Sequence, residues 1–319
     1  MWLIPLASGS HSVGIVADPS LHPLESINTF ERALGWLERH QPRLFDEIAP
    51  RRETLQDFAF FRNFSYGCKQ VFSAERWALT GEAGLFLDPF YSPGSDFIAI
   101  ANTYITDLIV RDHAGRPFAH HAALWDQIFH SFYESTLALY TGQYPIFGDP
   151  EVLPVKVIWD YTYYWGVLAQ LFFQRRLTDV ASLSACKAEL AHAQALNVAV
   201  QDTLRAWCAS RPTAAVSNPP GMLDQASLPW FRALNASLLD TLDDAGFRER
   251  LRDSTRLMRT LAREIVERAD AATTSEASAR LHSLLADTRF DASGGAFAGP
   301  LLFGSAVPQP AETIEAVAA

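Results

Sequence analysis

The sequence is poor in cysteine, and its cysteines follow no pairing pattern. The 319 residues include only Cys68, Cys186 and Cys208, an odd number with no CxxC pair. A disulfide framework is therefore not expected. We interpret the three thiols as buried and inert, and we expect a reducing, cytoplasmic setting for the protein.

Charged residues are also scarce. They make up 19% of the chain, whereas hydrophobic residues make up 49%. Since a disordered chain needs the opposite balance, we expect a folded protein of roughly two domains. The 36 acidic residues outnumber the 26 basic ones, which argues against a surface for nucleic acid or for anionic membrane lipids.

Long apolar runs and targeting signals are missing as well. The most apolar stretch, 155–173, is interrupted by Lys156, Asp160 and Gln170, so it falls short of the roughly 18 apolar residues typical of a membrane helix. We interpret it as a buried helix. The first six residues carry no basic side chain and reach Pro5 before an apolar core can form, so no secretory signal is expected.

The chain begins with a hairpin pattern. Residues 2–6 and 12–16 are short apolar runs joined by a turn that contains Gly9, and this arrangement predicts two antiparallel strands. Pro5 cannot donate a hydrogen bond to a strand ladder, so its strand is predicted to lie at an edge or to carry a bulge.

Helical spacing dominates the remainder of the chain. This spacing predicts a helix over 25–43, with Ser26 as N-cap, and a helix over 93–112. Between them, the short apolar run at 77–80 predicts a strand. The later helices are predicted at 121–141, 153–176, 179–210, 227–239, 244–270 and 274–287, with a loop at 211–221. The fold class is therefore α+β, in which a partial sheet (the hairpin plus a strand–loop–helix unit) precedes a large all-helical C-terminal region. We predict a first domain over residues 1–115 that contains the partial sheet, a helical domain over 116–290 and a poorly ordered tail over 291–319.

Residues 77–97 combine several turn and capping signals. Gly81 and Gly84 allow close backbone approach or a positive φ, and Asp88-Pro89 forces an extended turn. Ser92 and Pro93 are suited to the N-cap and first position of a helix. The free amides at 94–96 would then point outward, where they suit an anion or an electron-rich ligand. A well-capped turn without a ligand remains the alternative.

This segment resembles the C-terminal FAD-contacting motif of the para-hydroxybenzoate hydroxylase class of glutathione-reductase-type flavoproteins. The order of residues in this segment looks most like that of the tryptophan halogenase branch of the class. The residues that carry the resemblance are Trp2-Leu3-Ile4-Pro5-Leu6, Gly9, Ser12-Val13-Gly14, Phe64-Ser65-Tyr66, Trp77, Gly81, Asp88-Pro89, Ser92 and Gly94. The resemblance covers about residues 2–112.

The resemblance implies a flavin cofactor and a set of residues around it. Glu82 stands where the family has an Asp that contacts the ribityl or pyrophosphate region, and Asp88 and Pro89 would shape the loop beside the isoalloxazine ring. The amides of Gly94 and Ser95 would face the pyrimidine edge of the flavin, or a halide in halogenases. The implied cofactor-binding residues are Gly81, Glu82, Gly84, Asp88, Pro89, Ser92, Gly94 and Ser95. No catalytic residue and no metal ligand is assigned.

The chain departs from the family pattern in two ways. No Gly-x-Gly-x-x-Gly fingerprint follows a strand, and Lys69, Lys156 and Lys187, which are the only lysines, stand in no matching motif. We therefore expect the C-terminal part of an FAD-dependent oxidoreductase, halogenase-like or monooxygenase-like, acting on a small organic substrate, aromatic or otherwise. A separate N-terminal half or a flavin reductase is the expected partner. The alternative is a non-catalytic helical interaction protein, or a decayed fragment, that retains a relic flavoprotein segment.

Two other clusters have more than one interpretation. The aromatic residues of 159–173 suit either a helical core, which we favour, or the wall of an aromatic substrate pocket. His120 and His121 match no zinc spacing, so we favour a solvated helix start over a metal site there.

Overall fold

The computed structural model describes residues 1–211, 225–291 and 301–303. Contacts along the chain divide it into two compact units, Met1–Tyr66 and Gly67–Ala319. The predicted domain boundaries at 115/116 and 290/291 remain predictions.

The smaller unit opens with the predicted hairpin. Strand β1 (Trp2–Pro5) pairs antiparallel with β2 (His11–Gly14), so that Trp2 lies opposite Gly14 and Pro5 opposite His11. The indole of Trp2 lies over Gly14, where a Cβ atom would be 2.0 Å from the ring, and its Nε1 donates to the Ser12 Oγ at 3.0 Å. Because each strand has a single neighbour in this sheet, Pro5 lies at an edge as predicted.

The first helix is shorter than its apolar pattern predicts. Helix α1 (Phe30–His40) begins after Thr29, whose side chain accepts a hydrogen bond from the Arg32 amide, and a 3₁₀ turn occupies Leu24–Ser26. The prediction of Ser26 as N-cap is wrong. The helix ends at His40 because the following Gln41 precedes Pro42 and leaves the helical region. Helix α2 (Pro42–Ile48) then packs against α1, around Leu34, Trp36 and Leu37.

The larger unit is helical throughout its described regular structure. Its helices are α3 (Pro93–His113), α4 (Ala119–Leu137), α5 (Val152–Tyr163), α6 (Ala169–Phe173), α7 (Val180–Ala185), α8 (Lys187–Ser210), α9 (Pro229–Ala236), α10 (Asp244–Asp270) and α11 (Glu276–Leu285). Helix α8 packs against α10 and α11, with α5 on the same bundle. Trp125, Trp159 and Trp207 belong to the main hydrophobic core of this unit, with no more than 1% of their surface exposed.

The structure differs from the predicted elements at three places in this unit. The predicted strand at 77–80 is an isolated bridge between Phe72 and Ala78, so the hairpin is the only sheet in the described part of the chain. The predicted helix at 153–176 contains a π-helical turn, Tyr164–Leu168, between α5 and α6. The predicted helix at 179–210 is divided at Cys186.

The end of the chain is described only in part. Most of the predicted 211–221 loop and most of the tail after Asp291 lie outside the described residues. Within the tail, the amides of Leu301 and Leu302 donate to the Glu264 carboxylate of α10, and Leu302 is buried. None of the helices in the described ranges has both the length and the apolar character that crossing a membrane requires.

Candidate functional site: an aromatic cavity beside the start of helix α3

The loop before α3 needs glycine at Gly81. Its φ is +55°, and a Cβ atom there would lie 2.7 Å from the Cγ1 atom of Ile98 on α3. Only glycine accommodates both the left-handed backbone and this close approach. Gly84 is buried with φ −105°, so it is not in the left-handed region. Glu82 between them is exposed.

Asp88 holds this loop in shape. It is 6% exposed; its Oδ1 accepts from the Phe90 amide at 2.8 Å, and its Oδ2 accepts from the Tyr144 hydroxyl at 2.6 Å. Pro89 follows in a turn closed by the Ser92 amide donating to the Pro89 carbonyl. Since both oxygens of Asp88 have partners within the protein, its role here is to shape the loop.

The chain enters α3 through two residues with left-handed backbone. Tyr91 has φ 65° and Ser92 has φ 54°. Pro93 occupies the first turn as predicted, but the Ser92 side chain makes no capping hydrogen bond, so its predicted capping role is wrong. At Gly94 a Cβ atom would meet no heavy atom within 4 Å. The first turn of α3 therefore has no side-chain cap and has open space beside Gly94.

A cavity of about 210 Å³ lies directly behind this turn. Helix α3 contributes Pro93, Asp96 and Phe97, and α4 contributes Phe132 and Thr136. The remaining aromatic lining comes from the loop before α3, the turn after α4, α5, the π turn and α6, namely Tyr91, Tyr140, Tyr161, Tyr163, Tyr164, Phe172 and Phe173. The lining is therefore mostly apolar and aromatic, and the tyrosine hydroxyls and two carboxylates supply its main polar groups.

One carboxylate of the cavity belongs to a buried ion pair. Asp160 accepts from Lys156 Nζ at 2.8 Å, from Gln201 Nε2 at 2.6 Å and from the Tyr91 hydroxyl at 2.9 Å. Burial raises the pKa of Asp160, and the ammonium beside it acts in the opposite direction. Burial also disfavours the charged form of Lys156 and therefore lowers its pKa.

Lys156 is fully occupied by this network. Besides Asp160, its ammonium donates to the Leu139 carbonyl and to Gln201 Oε1, both at 2.9 Å. Its three donors are thus matched by three acceptors. Lys156 does not line the cavity; it holds Asp160, which in turn orients Tyr91.

The other carboxylate, Asp96, has a different environment. It lies in the first turn of α3, and its Oδ1 accepts from the Tyr164 hydroxyl at 2.8 Å. Burial raises the pKa of Asp96, and the hydrogen bond from Tyr164 partly offsets this. Among the described residues no cationic side chain pairs with Asp96.

None of the predicted cofactor residues lines the cavity. Gly81, Glu82, Gly84, Asp88, Pro89, Ser92, Gly94 and Ser95 all belong to the loop or to the first turn of α3, whereas the cavity wall includes their neighbours Tyr91, Pro93 and Asp96. Tyr91, Tyr140 and Asp160 were not predicted as site residues, and only the backbone amide of Asp96 was given a role. The one local signal for this site was the density of aromatic residues after 159.

The aromatic cluster serves both of the purposes considered from the sequence. Trp159 is fully buried in the core and does not line the cavity, whereas Tyr161, Tyr164 and Phe172 do. Trp159 and Tyr161 are two positions apart on α5, so they lie on different faces of that helix, and the π turn that follows adds Tyr164 and Leu168 to the cavity wall. Such turns are frequent at functional sites.

Metal-binding side chains do not converge in the described part of the chain. Within those residues no group of three or more His, Cys, Asp or Glu side chains could hold a metal ion. His120 and His121 are adjacent, with ring centroids 4.0 Å apart.

The residues present fit one edge of a flavin. The uncapped first turn of α3 offers outward amides, and the missing Cβ of Gly94 leaves a space that a larger side chain would fill. A helix start of this kind favours an electron-rich ligand edge. The sequence supplies no Gly-x-Gly-x-x-Gly turn for the dinucleotide half of FAD.

Comparison with known proteins gives one distant similarity. The chain is 22% identical over 172 residues to the flavin-dependent halogenase chlA of Dictyostelium discoideum. The match covers 53% of this chain and 28% of the halogenase. No protein-family model and no solved structure matches the chain.

Proposed function

We propose that this chain binds a small aromatic substrate beside a flavin, as part of an FAD-dependent oxidoreductase of the halogenase or monooxygenase type. The observation that carries the proposal is the aromatic cavity behind the uncapped start of α3, in the segment that resembles a flavin-contacting motif. The distant similarity to a flavin-dependent halogenase supports the same chemistry.

The proposed roles divide the loop residues into two groups. Gly81, Gly84, Asp88 and Pro89 hold the loop in position, as their buried backbone and internal hydrogen bonds allow. The first turn of α3, from Ser92 to Ser95, faces the flavin ring, and Glu82 accepts hydrogen bonds from its ribityl hydroxyls.

When bound, reduced FAD supplies the electrons that activate dioxygen, either for oxygen transfer or for oxidation of a halide. The chain's own contribution is positioning and electrostatics. The amides of Gly94 and Ser95 favour negative charge on the ring edge by up to about 2 kcal/mol. The apolar cavity wall excludes water from the substrate, and Tyr91, held by Asp160, fixes the wall nearest the loop.

A second polypeptide, or a further segment of a longer chain, would supply the dinucleotide-binding half. A flavin reductase is a further proposed partner, since the chemistry requires reduced flavin. The proposal of a separate dinucleotide-binding half rests on the absence of a phosphate-binding glycine fingerprint from this sequence.

Titration with FAD, followed by flavin fluorescence, tests the proposal. We expect weak but saturable quenching, with a Kd above about 1 µM, because only one edge of the cofactor would be held. Gly94→Val should abolish the quenching by filling the space beside the helix start. Gly148→Val is the matched control, since a Cβ atom at Gly148 also meets no heavy atom within 4 Å.

Two results would count against the proposal. One is a complete lack of FAD binding by the parent chain, and the other is equal FAD binding by the parent and Gly94→Val. A sub-micromolar Kd would instead overturn the part of the proposal that assigns the dinucleotide half to another segment.

A further inference from the structure

The two carboxylates that line the cavity differ in their counter-charges. Asp160 is held by the ammonium of Lys156 at 2.8 Å and by two neutral donors, Gln201 and Tyr91. Its charge is compensated within the protein, and it has no need of a cation from a ligand.

Asp96 lacks such a partner. Its only hydrogen bond from a side chain comes from the neutral Tyr164 hydroxyl, and no described Lys, Arg or His pairs with it. Burial raises the pKa of Asp96, whereas the partial positive charge at the start of α3 favours the ionised form. The carboxylate therefore stands at the cavity wall without a protein cation, and a cationic ligand would supply the missing counter-charge.

The surrounding wall is also suited to a cation. Tyr91, Tyr140, Tyr161 and Tyr164 present electron-rich rings to the cavity, and aromatic faces attract ammonium groups. Phenylalanine side chains, such as Phe97 and Phe132, complete an apolar surface for a ring. The cavity volume of about 210 Å³ is below the roughly 300–1,000 Å³ of pockets for drug-sized ligands, which favours a small aromatic body.

We infer that the substrate of this cavity is an arylalkyl amine, bound as its ammonium ion with Asp96 as the counter-ion. This inference rests on the proposed function and narrows its substrate class from aromatic molecules to aromatic amines. The ammonium contacts the free side of the Asp96 carboxylate, and the ring lies among the aromatic side chains. Free aromatic acids are disfavoured, because their carboxylate would face that of Asp96.

Calorimetric titration of the whole chain with three matched compounds tests the inference. The compounds are 2-phenylethylamine, 2-phenylethanol and 3-phenylpropionate, which share a ring and differ in the charge of the side chain. We expect the amine to bind at least about tenfold more tightly than the alcohol, and the acid to bind most weakly.

Asp96→Asn should remove the preference for the amine and leave the affinity for the alcohol unchanged. Asp112→Asn is the matched control, because it makes the same charge change at the other end of α3, where Asp112 pairs with the exposed Arg76. Ala99→Phe should abolish binding of all three compounds by filling the cavity. Ala123→Phe introduces the same side chain at an exposed position of α4 and should leave binding of the three compounds unchanged.

The outcomes separate the inference from the proposed function. Equal affinities for amine and alcohol, both abolished by Ala99→Phe, would overturn the inference and leave an aromatic cavity. Absence of binding by all three compounds would overturn the inference and also remove the cavity from the proposed function, while the FAD titration reports on the flavin separately. If Asp96→Asn fails to fold, the comparison of amine with alcohol affinity on the parent chain still decides whether the inference holds.

Discussion

At the scale of single residues, the fully buried cations Lys156 and Arg259 are matched to specific partners. Lys156 has three acceptors, and Arg259 on α10 donates to the carbonyls of Leu284 and Leu285 and to Asp291. Burying such cations without partners would cost several kcal/mol each. The matched geometry lets Arg259 bind the C-terminal end of α11.

His192 should make the stability depend on pH. Its Nε2 accepts from Arg259, its ring stacks on Phe290, and burial beside Arg259 lowers its pKa from 6.5 to about 4. Between these two values the unfolded chain binds a proton that the folded chain does not. Stability should therefore fall by up to about 3 kcal/mol as the pH decreases from about 6.5 to about 4.

Urea denaturation at several pH values measures this effect. His192→Gln, which removes the titrating group, should show a smaller loss of stability across that window. His113→Gln, at the exposed end of α3, serves as control and should follow the parent. An identical pH profile for the parent and His192→Gln would contradict the prediction.

At the scale of elements, the loop of 81–92 and the π turn decide how the site is built. The loop is fixed against α3 by Gly81 and closed by Asp88, and the π turn begins at Tyr164, whose hydroxyl donates to Asp96. The two elements are separated by about 70 residues of sequence and meet at one cavity. Their local geometries therefore determine where the polar groups of the cavity lie.

Gly81→Ala should destabilise the larger unit by about 2 kcal/mol or more, because the residue needs a left-handed backbone and the new methyl group would collide with Ile98. Gly115→Ala is a matched control for the backbone alone, since Gly115 has φ +65° and no heavy atom within 4 Å of its Cβ position. The difference between the two losses of unfolding free energy measures the cost of the collision with Ile98. Combining Gly81→Ala with Ile98→Ala should recover that difference, and an additive loss of unfolding free energy would contradict the collision.

At the scale of the whole molecule, the two units have separate cores. Leu34, Trp36 and Leu37 form the core of Met1–Tyr66, with neighbours that all come from that unit. The main core cluster contains only residues after Gly67. Each unit therefore has its own buried apolar residues.

The variant that contains only residues 67–319 should fold. Its core remains complete, so we expect helical circular dichroism and a cooperative unfolding transition near that of the larger unit in the full chain. A variant that carries residues 1–66 alone has a much smaller core and should be marginal at best. Loss of cooperative unfolding in the 67–319 variant would show that the units depend on each other.

The sequence by itself determined the features that depend on local spacing. The hairpin at 2–14, the helix after Pro93, the long α10 helix and the glycine requirement at Gly81 follow from periodicity, turn chemistry and backbone sterics, which act over a few residues. The same local signals also indicated that aromatic residues would gather after 159. They could not say which of them would form the core and which would line a cavity.

Only the tertiary structure decided which distant groups meet. Asp96 of α3 meets Tyr164 of the π turn, and Tyr91 of the preceding loop meets Asp160 of α5, so that all four residues line one cavity. It also decided that Ser92 does not cap its helix and that 77–80 forms only a bridge. The physical reason is that periodicity specifies which face of a helix is buried, whereas the packing of several helices fixes which side chains share that buried space.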